Sequence, residues 1–101
     1  MDDTYSTQDG RCAVILKGRF TFFDNKAFHS IRALLDDSAI KTMVLDFRDV
    51  DFIDSAALGM LLMAREEADK RSIKLVLANS SRQVEKAFNV AEFGALFAMK
   101  E

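Results

Sequence analysis

The 101-residue sequence has no proline and no tryptophan, and one residue each of cysteine, histidine and tyrosine. Without proline, no residue locks φ or removes a backbone donor, and no composition-marked linker divides the chain. A lone cysteine, Cys12, excludes an internal disulfide. Together with the single histidine, His29, it cannot build a closed zinc site. The four glycines, at positions 10, 18, 59 and 94, are too scattered for a phosphate-cradling loop. Gly-x-Ser-x-Gly is missing, and a Ser–His–acid arrangement would hang on His29, on the polar side of a predicted helix. These gaps argue against an enzyme, a resident metal or a cofactor.

The longest apolar run, residues 56–64, is far shorter than the roughly 20 residues that span a bilayer, so direct membrane insertion is not expected. Charges of both signs are interspersed, with a formal net charge of −2, and no basic stripe offers a footprint for nucleic acid. The chain does not open with an apolar secretory segment. Cys12 sits in an apolar strand-like run, as a buried inert thiol would. Both features fit a reducing cytoplasm.

What the chain does have is apolar bulk. Half of its residues are hydrophobic and nine are phenylalanine, enough for a core without staples. Its length predicts one domain, residues 1–101, burying roughly two-thirds of its unfolded surface. Residues 1–8 are polar, with a short edge strand expected at 4–6. Asp9-Gly10 signals a hairpin turn. Apolar runs at 12–16, 42–47 and 73–78 predict strands. A helix is expected over 25–36, capped by Asp24 or Asn25, with Phe28, Ile31 and Leu35 on its inner face. Residues 48–54 read as an acidic-apolar connection. A second helix follows over 55–71, and a third over 80–88 with Ser80 and Gln83 as a capping box and Asn89 as a left-handed end. A final strand is expected at 96–99. Strands joined through helices lie parallel, and the hairpin adds an antiparallel edge. The expected fold is α/β: a mixed sheet of four to five strands with helices mainly on one face.

The second helix breaks the usual pattern. Ala57, Leu61, Ala64 and Ala68 form a core stripe of small residues at helical spacing. The opposite side is charged in its last turns, with Glu66, Asp69 and Lys70, but near its start it carries Ser55, Leu58, Gly59, Leu62 and Met63. Either neighbouring loops cover this half, or it is an exposed apolar patch of the kind that binds partners. Asp54-Ser55 stands at the helix start. One of the pair acting as N-cap would explain both, at about 1 kcal/mol. The same place has unpaired N–H groups and a positive dipole end, so it would also accommodate a phosphate on Ser55.

The segment Val50-Asp51-Phe52-Ile53-Asp54-Ser55-Ala56-Ala57-Leu58-Gly59-Met60-Leu61 resembles the signature of STAS domains of the anti-sigma factor antagonist type. The stretches 14–20, 44–47 and 75–79 resemble that family's strands on either side of it. The resemblance covers about residues 4–99 and implies the STAS fold. It implies phosphorylation of Ser55, with Asp54, and less directly Asp24, orienting the serine. It implies partner switching: unphosphorylated protein binds an anti-sigma factor, itself often a GHKL-type serine kinase, and a PP2C-type phosphatase restores that form. Leu58, Gly59, Leu62 and Met63 become the partner-binding surface, on a protein that is a monomer or weak dimer alone. Two departures stand out. The family's second hydroxyl and glycine after the serine are replaced by Ala56-Ala57, which leaves Ser55 as the sole acceptor in the motif. The acidic residue usual after the second strand's glycine is matched by Thr21, with Asp24 nearby. The rival reading is a constitutive STAS subunit of a larger complex, such as a lipid-transport assembly, with no phosphoswitch.

Overall fold

The computed structural model describes residues 1–100; Glu101, included in the expected domain, lies outside them. The chain begins with strands β1 (Asp2–Gln8) and β2 (Arg11–Phe20), joined at Asp9-Gly10, whose φ values of 52° and 80° give the left-handed pair that a tight hairpin needs. Helix α1 (Asn25–Ala33), strand β3 (Thr42–Ile53) and helix α2 (Ser55–Lys70) follow. Strand β4 (Lys74–Ala78), helix α3 (Arg82–Val90) and strand β5 (Ala98–Lys100) complete it. The sheet order is β1-β2-β3-β4-β5, antiparallel at the hairpin and parallel elsewhere.

Strand alternation sorts the sheet into two faces. Cys12, Val14, Leu16, Met43, Leu45 and Phe47 point one way, into a core shared with Phe28 and Ile31 of α1, Leu61 and Ala64 of α2, and Val84 and Phe88 of α3. All three helices therefore cover the same face, as expected. On the other face Val44, Val76 and Ala78 form a small cluster of their own with Ala98 against it. The phenylalanine surplus has a place: Phe88 meets Phe47 edge-on at 5.3 Å and stacks on Phe93 at 5.3 Å, and Phe93 continues to Phe97 at 4.8 Å.

Several boundaries differ from expectation. Residues 48–53 are strand rather than connection. β2 is longer than its apolar run and pairs with them through Lys17↔Asp49, Gly18↔Val50, Arg19↔Phe52 and Phe20↔Ile53. Register shifts along β2 break the alternation of period two, so exposed Arg48, Asp49 and Asp51 mask the strand in the sequence. β1 covers seven residues although every one is exposed, because seven residue pairs with β2 hold it through the main chain. α1 ends at Ala33 and tightens into a 3-10 turn, Leu34–Asp36. The cap of α3 is Ser81, not Ser80: its hydroxyl accepts from the Val84 N–H and donates to the Val50 carbonyl at 2.9 Å, tying the helix to β3. Asn89 stays helical, and the left-handed residue is Glu92 (φ 58°), which turns the chain so that Phe93 reaches Phe88. His29 is exposed on α1, with Nδ1 3.0 Å from Arg32 Nη2.

Cys12 is fully buried. Burial, and secondarily the charge of Asp37, push its thiol pKa above the ordinary value. Ellman's reagent should therefore leave the native protein unlabelled and titrate one thiol once guanidinium unfolds it.

Candidate functional site at the start of the second helix

Asp54 lies in the extended region, with φ −104° and ψ 175°, where a cap residue belongs. Its Oδ1 accepts the Ala57 N–H at 2.8 Å and closes the first turn of α2. Its Oδ2 accepts the Phe22 N–H at 3.0 Å, from a 3-10 turn (Phe22–Asp24) at the end of β2. One carboxylate thus fastens two elements, and the Asp54 N–H adds a bond to the Phe20 carbonyl at 3.3 Å. Arg19 lies over the Phe52 ring at 4.3 Å, a further link between the ends of β2 and β3.

This settles which member of the Asp54-Ser55 pair is the cap. Asp54 does that work, and Ser55 is the first residue of the helix. Ser55 is exposed, and among the described residues no hydrogen bond engages its hydroxyl. The oxygen is left open to solvent beside the positive end of the helix.

Asp24, the second residue expected near the serine, is engaged within the turn itself. Its Oδ2 accepts the Thr21 N–H at 2.8 Å, while Thr21 Oγ1 accepts the Phe23 N–H at 3.3 Å, a reciprocal capping box around the 3-10 turn. Its Oδ1 pairs with the Met1 amino group at 2.9 Å. Burial alone would raise the Asp24 carboxyl. The hydrogen bond and charge of the ammonium, with the Thr21 N–H and hydroxyl, outweigh it and hold the pKa below its ordinary value. No hydrogen bond among the described residues joins Asp24 to Ser55, and its side chain caps no part of α1. Its observed contacts position the turn.

The apolar start of α2 is only partly covered. Leu58 and Gly59 are half-buried, whereas Leu62 and Met63 are 38% and 52% exposed. The structure adds two residues that periodicity did not single out. Phe22 and Phe23 are 62% and 91% exposed, their rings edge-to-face at 5.8 Å, on the turn that Asp54 fastens to α2. A signal was present: Thr21-x-x-Asp24 is a capping pattern that starts a turn before the helix and lifts Phe22-Phe23 out of any inward-facing register. Among the described residues no cluster of three His, Cys, Asp or Glu side chains could hold a metal, and no helix is long and apolar enough to cross a membrane.

Removing the clamp has a measurable cost. Asp54→Ala deletes the cap and hands the exposed Phe22 N–H to water, so urea unfolding should show a loss of about 1 kcal/mol. Asp54→Asn keeps one capping oxygen and should recover about half of it.

A mixed five-stranded sheet with its helices on one face and a serine at the tip of a capped helix defines the architecture of a STAS domain. The STAS domain family model matches residues 5–101. A STAS-domain containing protein of Pseudomonas aeruginosa (strain UCBPP-PA14) is 36% identical over an alignment of 84 residues, with 81% of this chain and 80% of that protein covered. The chain belongs to the STAS family. Among solved structures, the anti-sigma factor antagonist SpoIIAA of Bacillus in its unphosphorylated form superposes with a TM-score of 0.77 at 20% identity, over 99% of this chain and 88% of that one. A sulfate transporter family protein from Wolinella succinogenes gives 0.79 at 21% identity, over 94% and 80%. At such identities these two likenesses establish the fold alone.

Proposed function

We propose that this chain is a partner-switching regulator of the anti-sigma factor antagonist kind, controlled by phosphorylation of Ser55. It acts by binding, not catalysis, and works in the cytoplasm as a monomer or weak dimer. Unphosphorylated, it captures an anti-sigma factor or an equivalent signalling partner. A GHKL-type serine kinase adds the phosphate and a PP2C-type phosphatase removes it. The observation that carries this reading is the division of labour at the helix start: Asp54 supplies the cap, and Ser55 keeps a free hydroxyl. The docking surface is Leu58, Gly59, Leu62 and Met63, extended by Phe22 and Phe23.

Phosphopeptide mapping of the protein from its native host, with and without stress, tests the switch. Occupancy of Ser55 that changes with conditions supports it. If Ser55 stays unmodified even in a strain lacking candidate phosphatases, the constitutive STAS subunit takes its place. Ser55→Ala, locked in the binding form, is the bait for recovering the partner. Against that partner, Phe23→Ala should weaken binding about thirtyfold, in the range of an exposed aromatic anchor at about 2 kcal/mol. Its melting temperature should not move, because the ring is 91% exposed.

A further inference from the structure

The helix-free face of the sheet carries its own pattern. The parallel register lays it out as a grid. One row is Arg11, Thr42 and Lys74; the next is Ala13, Val44, Val76 and Ala98; the third is Ile15, Asp46, Ala78 and Lys100. Val44, Val76 and Ala78 are buried, although no helix residue belongs to their cluster. The longer side chains around them do the covering. The result is a recessed apolar floor under a rim of cations.

Arg11, Lys74 and Lys100 are exposed and line one cavity of about 310 Å³, with Thr42, Val76 and Met99. None of the three enters an ion pair among the described residues. The grid's one carboxylate, Asp46, is occupied: it accepts the Arg48 N–H at 2.9 Å and the Asn79 side-chain amide at 3.1 Å. Further along β2 the same face carries Asp2 and Asp49 beside Lys17, so the unpaired positive charge is concentrated at the Arg11, Lys74 and Lys100 end.

We propose that this face is a second docking surface, separate from Ser55, for an extended acidic segment of a partner protein. Charge selects an anion. Spacing selects one with several carboxylates, because Arg11 and Lys74 lie two strand spacings apart, about 10 Å, too far for one small anion to bridge. In an extended chain only residues an even number apart face the same way, so acids four residues apart, about 13 Å at about 3.3 Å per residue, put one carboxylate within reach of each long cationic side chain. The recessed floor fits small apolar side chains of such a segment between its acids and holds the face's buried valines back from a flat lipid surface. The grid has no aromatic platform on which bases of a single-stranded nucleic acid would stack.

Fluorescence anisotropy with the full chain tests this. The probe is a fluorescein-labelled peptide repeating Glu-Ser-Val-Ser, which turns its Glu and Val side chains to one face. Its controls are a Lys/Val counterpart, a single-stranded DNA oligonucleotide and phosphatidylglycerol–phosphatidylcholine vesicles. The expected result is saturable binding of the acidic peptide that weakens as salt is raised. Arg11→Glu with Lys74→Glu should weaken it about tenfold or more, and Ser55→Asp should leave it unchanged. Arg11→Gln with Lys74→Gln serves as the gentler pair if thermal melts show the reversed pair misfolds. No saturable binding at low salt, equal binding of the Lys/Val peptide, preference for DNA or vesicles, or indifference to both variant pairs would overturn the proposal.

Discussion

Phosphorylated protein should bind the partner recovered with Ser55→Ala more than about a hundredfold less tightly than unphosphorylated protein, with the fold intact. The fold should survive because the phosphate would arrive where a helix tolerates negative charge, beside the N–H groups and positive dipole end of α2. Asp54 already caps that end, so no hydrogen bond must break for the phosphate to be seated in solvent. Binding suffers for the opposite reason. About two negative charges would then stand at the start of α2, two turns before exposed Leu62 and Met63 and next to Asp54, which fastens the Phe22–Phe23 turn, and a partner closing over this surface must strip water from them. A loss of only about 3 kcal/mol at that step exceeds a hundredfold. Titration calorimetry of the two forms reads the affinity, and scanning calorimetry checks that the melting temperatures agree. Ser55→Asp should weaken binding in the same direction but less, since a carboxylate carries one charge. Equal affinity of the two forms would remove Ser55 from the docking surface.

The largest expected loss of stability is elsewhere. Phe88→Ala should cost about 3–5 kcal/mol, a large share of the roughly 5–15 kcal/mol that holds a domain of this size together. The ring is fully buried between Phe47 of β3 and Phe93, and α3 has only Val84 as its other buried anchor. Its loss leaves a cavity between helix and sheet that Phe93 cannot fill without leaving Phe97. Urea denaturation should show a lower midpoint with an unchanged slope. Phe88→Leu, which keeps most of the volume, should cost much less. Affinity per folded molecule at the Ser55 surface should be unchanged, since Phe88 is not exposed there.

Architecture was legible from the sequence because it rests on composition and order. Apolar runs of strand length, separated by amphipathic stretches, gave the parallel part of the sheet, and Asp9-Gly10 gave the hairpin. Boundaries were less legible where main-chain pairing, not burial, decides them. β1 is strand throughout without one buried side chain, and residues 48–53 are strand despite three exposed charges. At the candidate site, Asp54-Ser55 and the apolar helix start could be read directly. The split between them could not, since both residue types cap helices and only the bond from Asp54 to Ala57 decides. Phe22 and Phe23 escaped notice because an aromatic pair after a strand reads as core, and only the Thr21–Asp24 turn shows that it points outward.

The all-exposed first strand has a consequence for how the molecule opens. With no side chain in the core, β1 is the unit that detaches at the lowest free energy, and its amides should exchange with solvent deuterium well before those of β3 and β4. Detachment also draws the Met1 ammonium away from Asp24, the residue that closes the capping box of the Phe22–Phe23 turn. Peeling at the sheet edge should therefore loosen one of the two ties on Asp24 and weaken the aromatic turn, and a partner that grips those two rings should slow deuterium uptake in a strand it need never touch.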